Sequence, residues 1–118
     1  MWTRDGFAPG PATCTPGTAS SWDGALVYIS CLNGSSYLGF TDWRLPTVNE
    51  MVTIINLEQA NLPQWLNGQG FINIQANKYW TSTTYLSFTG NAWIIEMAYG
   101  YVGSCSKTYS GVAWPVRK

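Results

Sequence analysis

The stretch "TDWRLPTVNE", residues 41–50, brings charged and aromatic residues together in a chain that has few charges elsewhere. Thr47 and Glu50 have the spacing of a capping box, in which two side chains satisfy backbone N–H groups at a helix start. Pro46 directly precedes this pair, which is typical of a helix boundary. An apolar stripe at helical spacing follows: Val48, Met51, Val52 and Ile55. The stretch therefore predicts the beginning of a helix.

Two interpretations compete for the same stretch, a catalytic constellation and a structural joint. Asp42 and Arg44 flank Trp43, and a guanidinium in that position can bind loop carbonyls or pair with a carboxylate. Catalysis would need a second acid or base nearby, and the neighbouring sequence offers none. The structural interpretation is therefore favoured.

The composition predicts a single domain, residues 1–118, with few of the residue types that catalysis or metal binding requires. Its 118 residues are 46% apolar, enough for one core. The absence of His removes the usual general base and zinc ligand. The acidic residues are scattered, at Asp5, Asp23, Asp42, Glu50, Glu58 and Glu96. We therefore predict no catalytic residue, no metal site and no cofactor.

Charge and hydropathy narrow the range of partners. Six Lys and Arg balance six Asp and Glu, which leaves no net field to attract nucleic acid. No apolar run approaches the length of a membrane span, so membrane insertion is not expected. The opening "MWTRDG" resembles the middle of a strand, and a targeting segment could have preceded Met1.

Cysteine content leaves the compartment open, and aromatic content suits a binding surface. Cys14 and Cys31 bracket a loop and most of a predicted helix, and they either form a disulfide in an oxidising compartment or stay free. Closing that loop would add about 3 kcal/mol in the chain-entropy model. Cys105 is left over. The seven Trp and seven Tyr exceed what a core of this size needs, and such rings suit binding surfaces.

Two helices are predicted in the first half of the chain, residues 1–78. A short first strand at "MWTRD" precedes a Gly- and Pro-rich loop. Ser20 and Asp23 predict the start of the first helix, and "NG" at 33–34 its left-handed stop. The second helix is the one that follows Pro46. Residues 57–78 are expected to form a polar, turn-rich connection anchored by Trp65.

Strands dominate the second half, residues 79–118. Trp93, Ile95 and Met97 alternate with Ile94, Glu96 and Ala98, as in a half-buried strand. The "YGY" at 99–101 predicts a hairpin turn, and Val112, Trp114 and Val116 predict a last strand. Helices followed by an antiparallel sheet make the predicted class α+β.

Several segments, read in order, resemble the Lcl C-terminal domain family, which belongs to a bacterial collagen-like adhesin and to the C-type-lectin-like superfamily. The resemblance covers nearly the whole chain. It rests on "WTRDG", "SWDGALVYI", "LGFTDWRLPTVNE", "YWTSTTY", "AW", "GYV", "SK" and "WPVR". The element "RLPT…E" is also similar to formylglycine-generating enzyme, a more distant relative on the same superfold.

The resemblance implies a C-type-lectin-like fold, with two helices flanking a small twisted antiparallel sheet and the first and last strands paired. It implies structural roles, at the joint between helices and sheet, for Trp43, Arg44, Pro46, Glu50 and, in the sheet, Trp93. The superfamily's calcium motifs are absent from this sequence, as is a basic patch for sulfated polysaccharide. The oxidase's pair of late cysteines is missing too, since only Cys105 stands there.

A recognition surface is predicted in the late strands and loops, where Leu, Phe and Tyr mix with Ser, Thr and Gly without regular alternation. Such composition is typical of paratopes, in which Tyr supplies contact area and Ser adaptability. The candidate ligand-binding residues are Leu86, Ser87, Phe88, Ile94, Ala98, Tyr99, Tyr101, Ser104, Cys105, Tyr109 and Ser110.

A more specific hypothesis is that the chain resembles the variable proteins of diversity-generating retroelements. Adenine-directed rewriting of AAC-type codons yields every residue except Met, Trp, Lys, Glu and Gln. In the C-terminal region those types fall on framework-like positions outside the candidate runs, among them Trp80, Trp93, Glu96, Met97, Lys107 and Trp114. The third codon positions at Leu86, Ala98, Ser104 and Ser110 test this hypothesis.

The function expected from the sequence is a receptor- or adhesin-type binding module at a cell or virion surface. Its expected partner is an unknown protein or glycan, and the chain could also form a homo-oligomer. A further alternative is a purely structural or oligomerising cap on a longer adhesin. The competing functions are a calcium-independent glycan-binding adhesin domain and an oxidase like the formylglycine-generating enzyme.

Overall fold

The computed structural model describes residues 1–55 and 61–117 and has the predicted α+β class. The helices are α1 (Trp22–Gly34), α2 (Val48–Ile54) and α3 (Leu62–Gly68), and the strands are β1 (Lys78–Thr84), β2 (Asn91–Glu96) and β3 (Tyr101–Ser106). The strands form one antiparallel sheet in the order β1-β2-β3. Within the described ranges no helix has the length and apolarity needed to cross a membrane.

Helix α1 begins one residue later than the sequence predicts. Its N-cap is Ser21, whose side chain accepts a hydrogen bond from the Gly24 N–H. Ser20 instead forms an antiparallel bridge with Gly111, so its backbone is engaged in a long-range contact. The left-handed residue at the far end is Ser36, whereas Gly34 stays in the helix. Both corrections concern helix ends, where local signals compete with tertiary contacts.

Helix α2 confirms the capping box predicted from the opening stretch. The Thr47 side chain accepts from the Glu50 N–H, and the Glu50 carboxylate accepts from the Thr47 N–H. Met51 is fully buried, whereas Val52, from the same predicted stripe, is exposed. This short helix therefore packs on the core through a narrower face than its sequence indicates.

Helix α3 was not predicted, because its residues were expected to form a turn-rich connection. The Asn61 side chain caps it by accepting from the Gln64 N–H, and a proline occupies the first turn. Leu62 and Leu66 are buried, which gives the helix a core-facing stripe. The predicted helix count of two is therefore wrong. Residues 56–60 of the predicted connection, including Glu58, lie outside the described residues.

The sheet is covered on both faces, which explains why the half-buried alternation predicted for β2 is wrong. Ile94 packs with the α1-side core, which includes Ala25, Ile29 and Leu32. Its neighbour Ile95 packs with the opposite core, which includes Met51, Leu62, Leu66 and Trp114. Since successive strand residues point to opposite faces, both must be apolar here.

The two ends of the chain meet through isolated bridges and form no strands in the described ranges, contrary to prediction. Trp2 pairs with Val116, which also pairs with Arg44. The Trp114 indole N–H donates to the Thr3 carbonyl at 2.9 Å, and Trp114 is completely buried. Single bridges and side-chain hydrogen bonds thus hold these segments in place of a ladder.

Residues 43–50 connect α1, α2, β1 and the C-terminal segment. The Asn33 amide exchanges two hydrogen bonds with the Trp43 backbone, at 2.9 and 2.7 Å. The Pro46 carbonyl accepts from the Ser82 N–H of β1 at 2.8 Å. Arg44 donates to both carboxylate oxygens of Glu50, at 2.6 and 2.8 Å. The arrangement is that of a structural joint, in which the Arg44 and Glu50 side chains bind each other.

Cys14 and Cys31 form a disulfide, which settles the alternative that the sequence leaves open. The bond ties the loop that precedes α1 to the last turns of that helix. It lies beside a cavity of about 310 Å³ lined in part by Thr13, Thr15 and Val27.

Candidate binding surface

Most of the predicted recognition residues lie at the surface. Those exposed are Leu86, Ser87, Phe88, Tyr99, Tyr101, Tyr109 and Ser110, and those half-buried are Ala98 and Ser104. Leu86 and Tyr99 protrude furthest, with 86% and 84% of their area exposed. Among the residues that the structure describes, every exposed aromatic side chain belongs to this set. Elsewhere in the described ranges the aromatic side chains are half-buried or buried. Fully exposed rings, which often dominate binding energetics, are thus confined to the predicted set.

Two members of the predicted set are corrected by the structure. Ile94 and Cys105 are buried in the α1-side core, where a ligand at the surface does not reach them. Cys105 pairs with Ala92 and Ile94 with Gly103 across the β2–β3 ladder, so all four share the covered face. Burial raises the pKa of the Cys105 thiol. This cysteine behaves as a small core residue.

The exposed residues fall into two groups at opposite ends of the sheet. The tip surface, defined as Leu86, Ser87, Phe88, Tyr109 and Ser110, follows the ends of β1 and β3. The hairpin surface, defined as Ala98, Tyr99 and Tyr101, surrounds the turn between β2 and β3, where "YGY" was predicted to reverse the chain. The β2 strand separates the two, and its six residues span about 20 Å. A ligand that contacts both groups must extend along the sheet.

The turn that carries Leu86 and Phe88 is held by its own backbone. The Phe88 N–H donates to the Tyr85 carbonyl at 3.1 Å, and the Asn91 N–H donates to the Phe88 carbonyl at 2.9 Å. The Tyr85 N–H closes the turn on the Asn91 carbonyl at 3.0 Å. The side chains at 86–88 are therefore free of any part in these bonds.

Three residues beside the tip surface were not predicted to bind a ligand: Tyr85, Asn91 and Trp93, the last of which was assigned a structural role. The Tyr85 and Trp93 rings lie 5.0 Å apart at a tilt of 57°, and both are half-buried. Asn91, on the same face of the sheet, approaches the Ser104 hydroxyl at 3.5 Å. Tyr85 directly precedes the candidate residues Leu86, Ser87 and Phe88, and this position was the available signal. Together these residues extend the tip surface onto the sheet.

Electrostatics contribute little to this surface. The Lys107 side chain, which follows β3, is engaged within the protein: its ammonium lies 4.1 Å from the Trp22 ring centre and 3.1 Å from the Thr84 hydroxyl. Over residues 1–55 and 61–117 no cluster of acidic or cysteine side chains is suited to hold a metal ion. The tip surface offers contact area and hydroxyl groups to a ligand, whereas beside the hairpin surface Glu96 of β2 lies opposite Tyr101 and Lys78 of β1 lies opposite Glu96.

The comparisons with known proteins agree with the sequence resemblance. The family described as the Lcl C-terminal domain matches residues 1–117, almost the whole chain. No curated protein matches the chain.

Proposed function

This chain belongs to the Lcl C-terminal domain family, and we propose that it is a non-catalytic, receptor- or adhesin-type binding module with a C-type-lectin-like fold. Its recognition surface comprises the tip surface and the hairpin surface. The observation that carries the proposal is the confinement of exposed aromatic rings to these two groups, among the described residues. Groups of exposed apolar side chains mark interaction surfaces, and aromatic residues contribute much of the binding energy at such surfaces.

An extracellular or cell-surface location fits the proposal. The Cys14–Cys31 disulfide is the kind of bond that persists in oxidising compartments. Adhesin domains work in such compartments, and a neutral, ring-rich surface allows binding without metal or strong salt dependence.

The oxidase alternative has less support. Its chemistry needs reactive cysteines, whereas Cys14 and Cys31 are bonded to each other. Cys105 is buried and has a raised pKa, which opposes formation of the reactive thiolate.

The proposal extends to the diversity-generating retroelement. Burial agrees with this for part of each residue class, whereas the candidates Ile94 and Cys105 are exceptions that lie in the core. Trp80, Met97 and Trp114 are fully buried, whereas Leu86, Tyr99 and Tyr109 are exposed. The gene sequence tests this part directly: pyrimidines in the third codon positions of Leu86, Ala98, Ser104 and Ser110 support it, and purines there contradict it.

Glycan and protein arrays with matched variants test the binding function. The variants are Leu86→Ser with Phe88→Ser on the tip surface, and Tyr99→Ser with Tyr101→Ser on the hairpin surface. Val27→Ser is the control, because Val27 is an exposed apolar residue of α1, 70% accessible, outside both groups. We expect bound ligands to be lost with one or both double variants and kept with the control. Ligands that ignore both double variants would contradict the proposal.

A further inference from the structure

The outer edge of β3 carries backbone groups with no partner among the described residues. The Lys107 N–H donates to the Gly90 carbonyl at 2.9 Å, which fixes the phase of the β2–β3 ladder. In an antiparallel pair, residues that bond across the ladder alternate with residues whose N–H and C=O point away. Tyr101, Gly103 and Cys105 therefore bond to β2, and the outward groups belong to Val102, Ser104 and Ser106.

The opposite edge of the sheet is covered, which makes the β3 edge distinctive. The Trp80 N–H of β1 donates to the Val112 carbonyl at 2.9 Å, and the Val112 N–H donates to the Lys78 carbonyl at 2.8 Å. Further along β1, the Ser82 N–H donates to the Pro46 carbonyl at 2.8 Å. The C-terminal segment and the joint thus complete that edge. On β3, only the Ser106 carbonyl is engaged in the described part of the chain, by the Tyr109 N–H at 3.0 Å.

The β3 edge also lacks the features by which proteins prevent unwanted pairing. Natural edge strands carry Lys, Pro, bulges or inward-pointing charges. The sequence "YVGSCS" has none of these residues, and its register with β2 is regular from Tyr101 to Ser106. Tyr101 and Tyr109 stand exposed near its two ends. The edge is an unprotected pairing surface placed between the hairpin surface and the tip surface.

We propose that the ligand is a protein that adds an extended segment to the outer edge of β3. This inference rests on the proposed binding function and names the class of its ligand. Outward N–H and C=O groups recur at every second residue, about 7 Å apart, which is the repeat of another polypeptide strand. The added strand would run between the two exposed groups, which explains why they lie at opposite ends of the sheet.

A polypeptide ligand fits this edge better than a glycan or a second copy of the chain does. Sugar rings do not present alternating donors and acceptors at the strand repeat. A second copy would meet β3 with an edge of the same six residues, about 20 Å long. Stable dimers bury more than about 1,000 Å², which such an edge alone does not supply. A flexible segment can instead follow the edge and then contact Tyr101 and Tyr109.

The test uses a phage-displayed library of short linear peptides, selected on the wild-type protein. Ser104→Pro removes one outward N–H and obstructs the edge, and the β2 ladder does not use that N–H. Ser104→Ala is the matched control, since it changes the side chain and keeps the N–H. We expect selected peptides to bind Ser104→Pro about ten-fold or more weakly than they bind Ser104→Ala, which isolates the N–H from the hydroxyl. Circular dichroism checks that both variants fold.

Amide hydrogen exchange provides a second measurement that does not depend on the proline variant. A selected peptide should slow exchange at Val102, Ser104 and Ser106, because their N–H groups gain partners. Peptides that bind Ser104→Pro as tightly as wild type and leave these amides unprotected would overturn the inference. So would a library that yields no binder.

Two further outcomes separate this inference from the proposed function. An array ligand that depends on Leu86 and Phe88 but ignores Ser104→Pro would support the binding function and overturn pairing at β3. A wild-type protein that elutes as a dimer, and becomes monomeric with Ser104→Pro, would show that the occupant is a second copy and would also overturn it. Peptide binding could instead require the Ser104 N–H and be unchanged in both double-serine variants. That result would support strand addition at β3 and contradict ligand recognition by the tip and hairpin surfaces.

Discussion

The ring of Tyr101 lies across Gly103, so closely that a Cβ atom at Gly103 would stand 2.4 Å from it. The two residues share the face of β3 that points toward α1, and the ring covers the glycine. A glycine in mid-strand is usually unfavourable. Here its missing side chain lets the Tyr101 ring lie flat at the border of the hairpin surface.

Gly103→Ala should therefore move the Tyr101 ring and leave the fold intact. The ring is 59% exposed and can swing into solvent, so we expect the free energy of unfolding to change by less than about 1 kcal/mol. Nuclear magnetic resonance should show loss of the contacts between the Tyr101 ring and the residue at 103. Tyr101→Leu, which removes the ring and keeps Gly103, is the control. Persistence of the ring contacts in Gly103→Ala would contradict the packing.

Glu50→Gln should destabilise the joint and change the response to acid. The hydrogen bonds from Arg44, with the Thr47 N–H, lower the pKa of Glu50 to about 2 from 4.5. A carboxyl with a depressed pKa stabilises the fold fully above its unfolded pKa and loses this contribution as pH falls toward its folded pKa. The wild type should therefore lose stability between about pH 4.5 and pH 2.

In Glu50→Gln we expect the free energy of unfolding at neutral pH to fall by about 1 kcal/mol, since Gln keeps the cap but loses the ion pair. Urea unfolding at several pH values measures both effects. Asp42→Asn is the control, because Asp42 pairs with Arg117 at 2.7 Å outside any helix cap. A variant as acid-sensitive as wild type over this window would refute the role of the carboxylate.

Removal of the disulfide should lower the free energy of unfolding, because the unfolded chain gains conformational entropy. Cys14 and Cys31 are 17 residues apart in sequence, and closing such a loop contributes about 3 kcal/mol in the chain-entropy model. We expect the double variant Cys14→Ser, Cys31→Ser to lose about this amount in urea unfolding. Reductant should shift the wild-type curve equally and leave the double variant unaffected. A reductant effect on the double variant would point to another bond.

Cys105 should react slowly with thiol reagents in the folded protein. Its side chain is 8% exposed, and burial raises the pKa of the thiol. With iodoacetamide at about pH 8 we expect alkylation at least about ten-fold slower than in urea. Ser106→Cys, in a Cys105→Ser background, places the thiol on the opposite face of β3 and is the control. Equal rates at the two positions would show that Cys105 is accessible.

Gly111→Ala should be among the more destabilising single changes. A Cβ atom there would lie 2.7 Å from the Trp80 indole nitrogen, which is buried and donates to the Ser20 carbonyl at 2.8 Å. We expect a loss of about 2 kcal/mol or more in unfolding free energy, because the indole must shift. Gly68→Ala is the matched control: nothing lies within 4 Å of its Cβ position, so it should be neutral or stabilising. Equal effects would contradict the packing at Trp80.

Elements whose signals are local were predictable from the sequence. Thr47 and Glu50 cap α2 as their spacing requires, because every partner lies within four residues. Helix α3 carried a similar signal, an Asn before a proline, that its polar flanks obscured. The chain ends were not predictable, since Trp2 and Val116 owe their geometry to each other and to Arg44.

The candidate surface was predicted in part for the same reason. Leu86, Phe88 and Tyr109 follow strand ends, where an apolar residue has little chance of burial. Ile94 was misplaced because the alternation predicted for β2 assumes one solvent-exposed face, whereas both faces of β2 are covered. Cys105 was misplaced because its own run shows no alternation, and its burial depends on its pairing with Ala92 across the sheet. The division into two ends of the sheet depends on strand order, which no local pattern encodes.

The turn at residues 85–91 closes on its own main chain, through Tyr85, Phe88 and Asn91. Amino acids can thus be exchanged at 86–88 without disturbing how the polypeptide finds its native state. Randomising the codons for these three residues, in evolution or in the laboratory, could therefore yield many binding specificities on one constant scaffold.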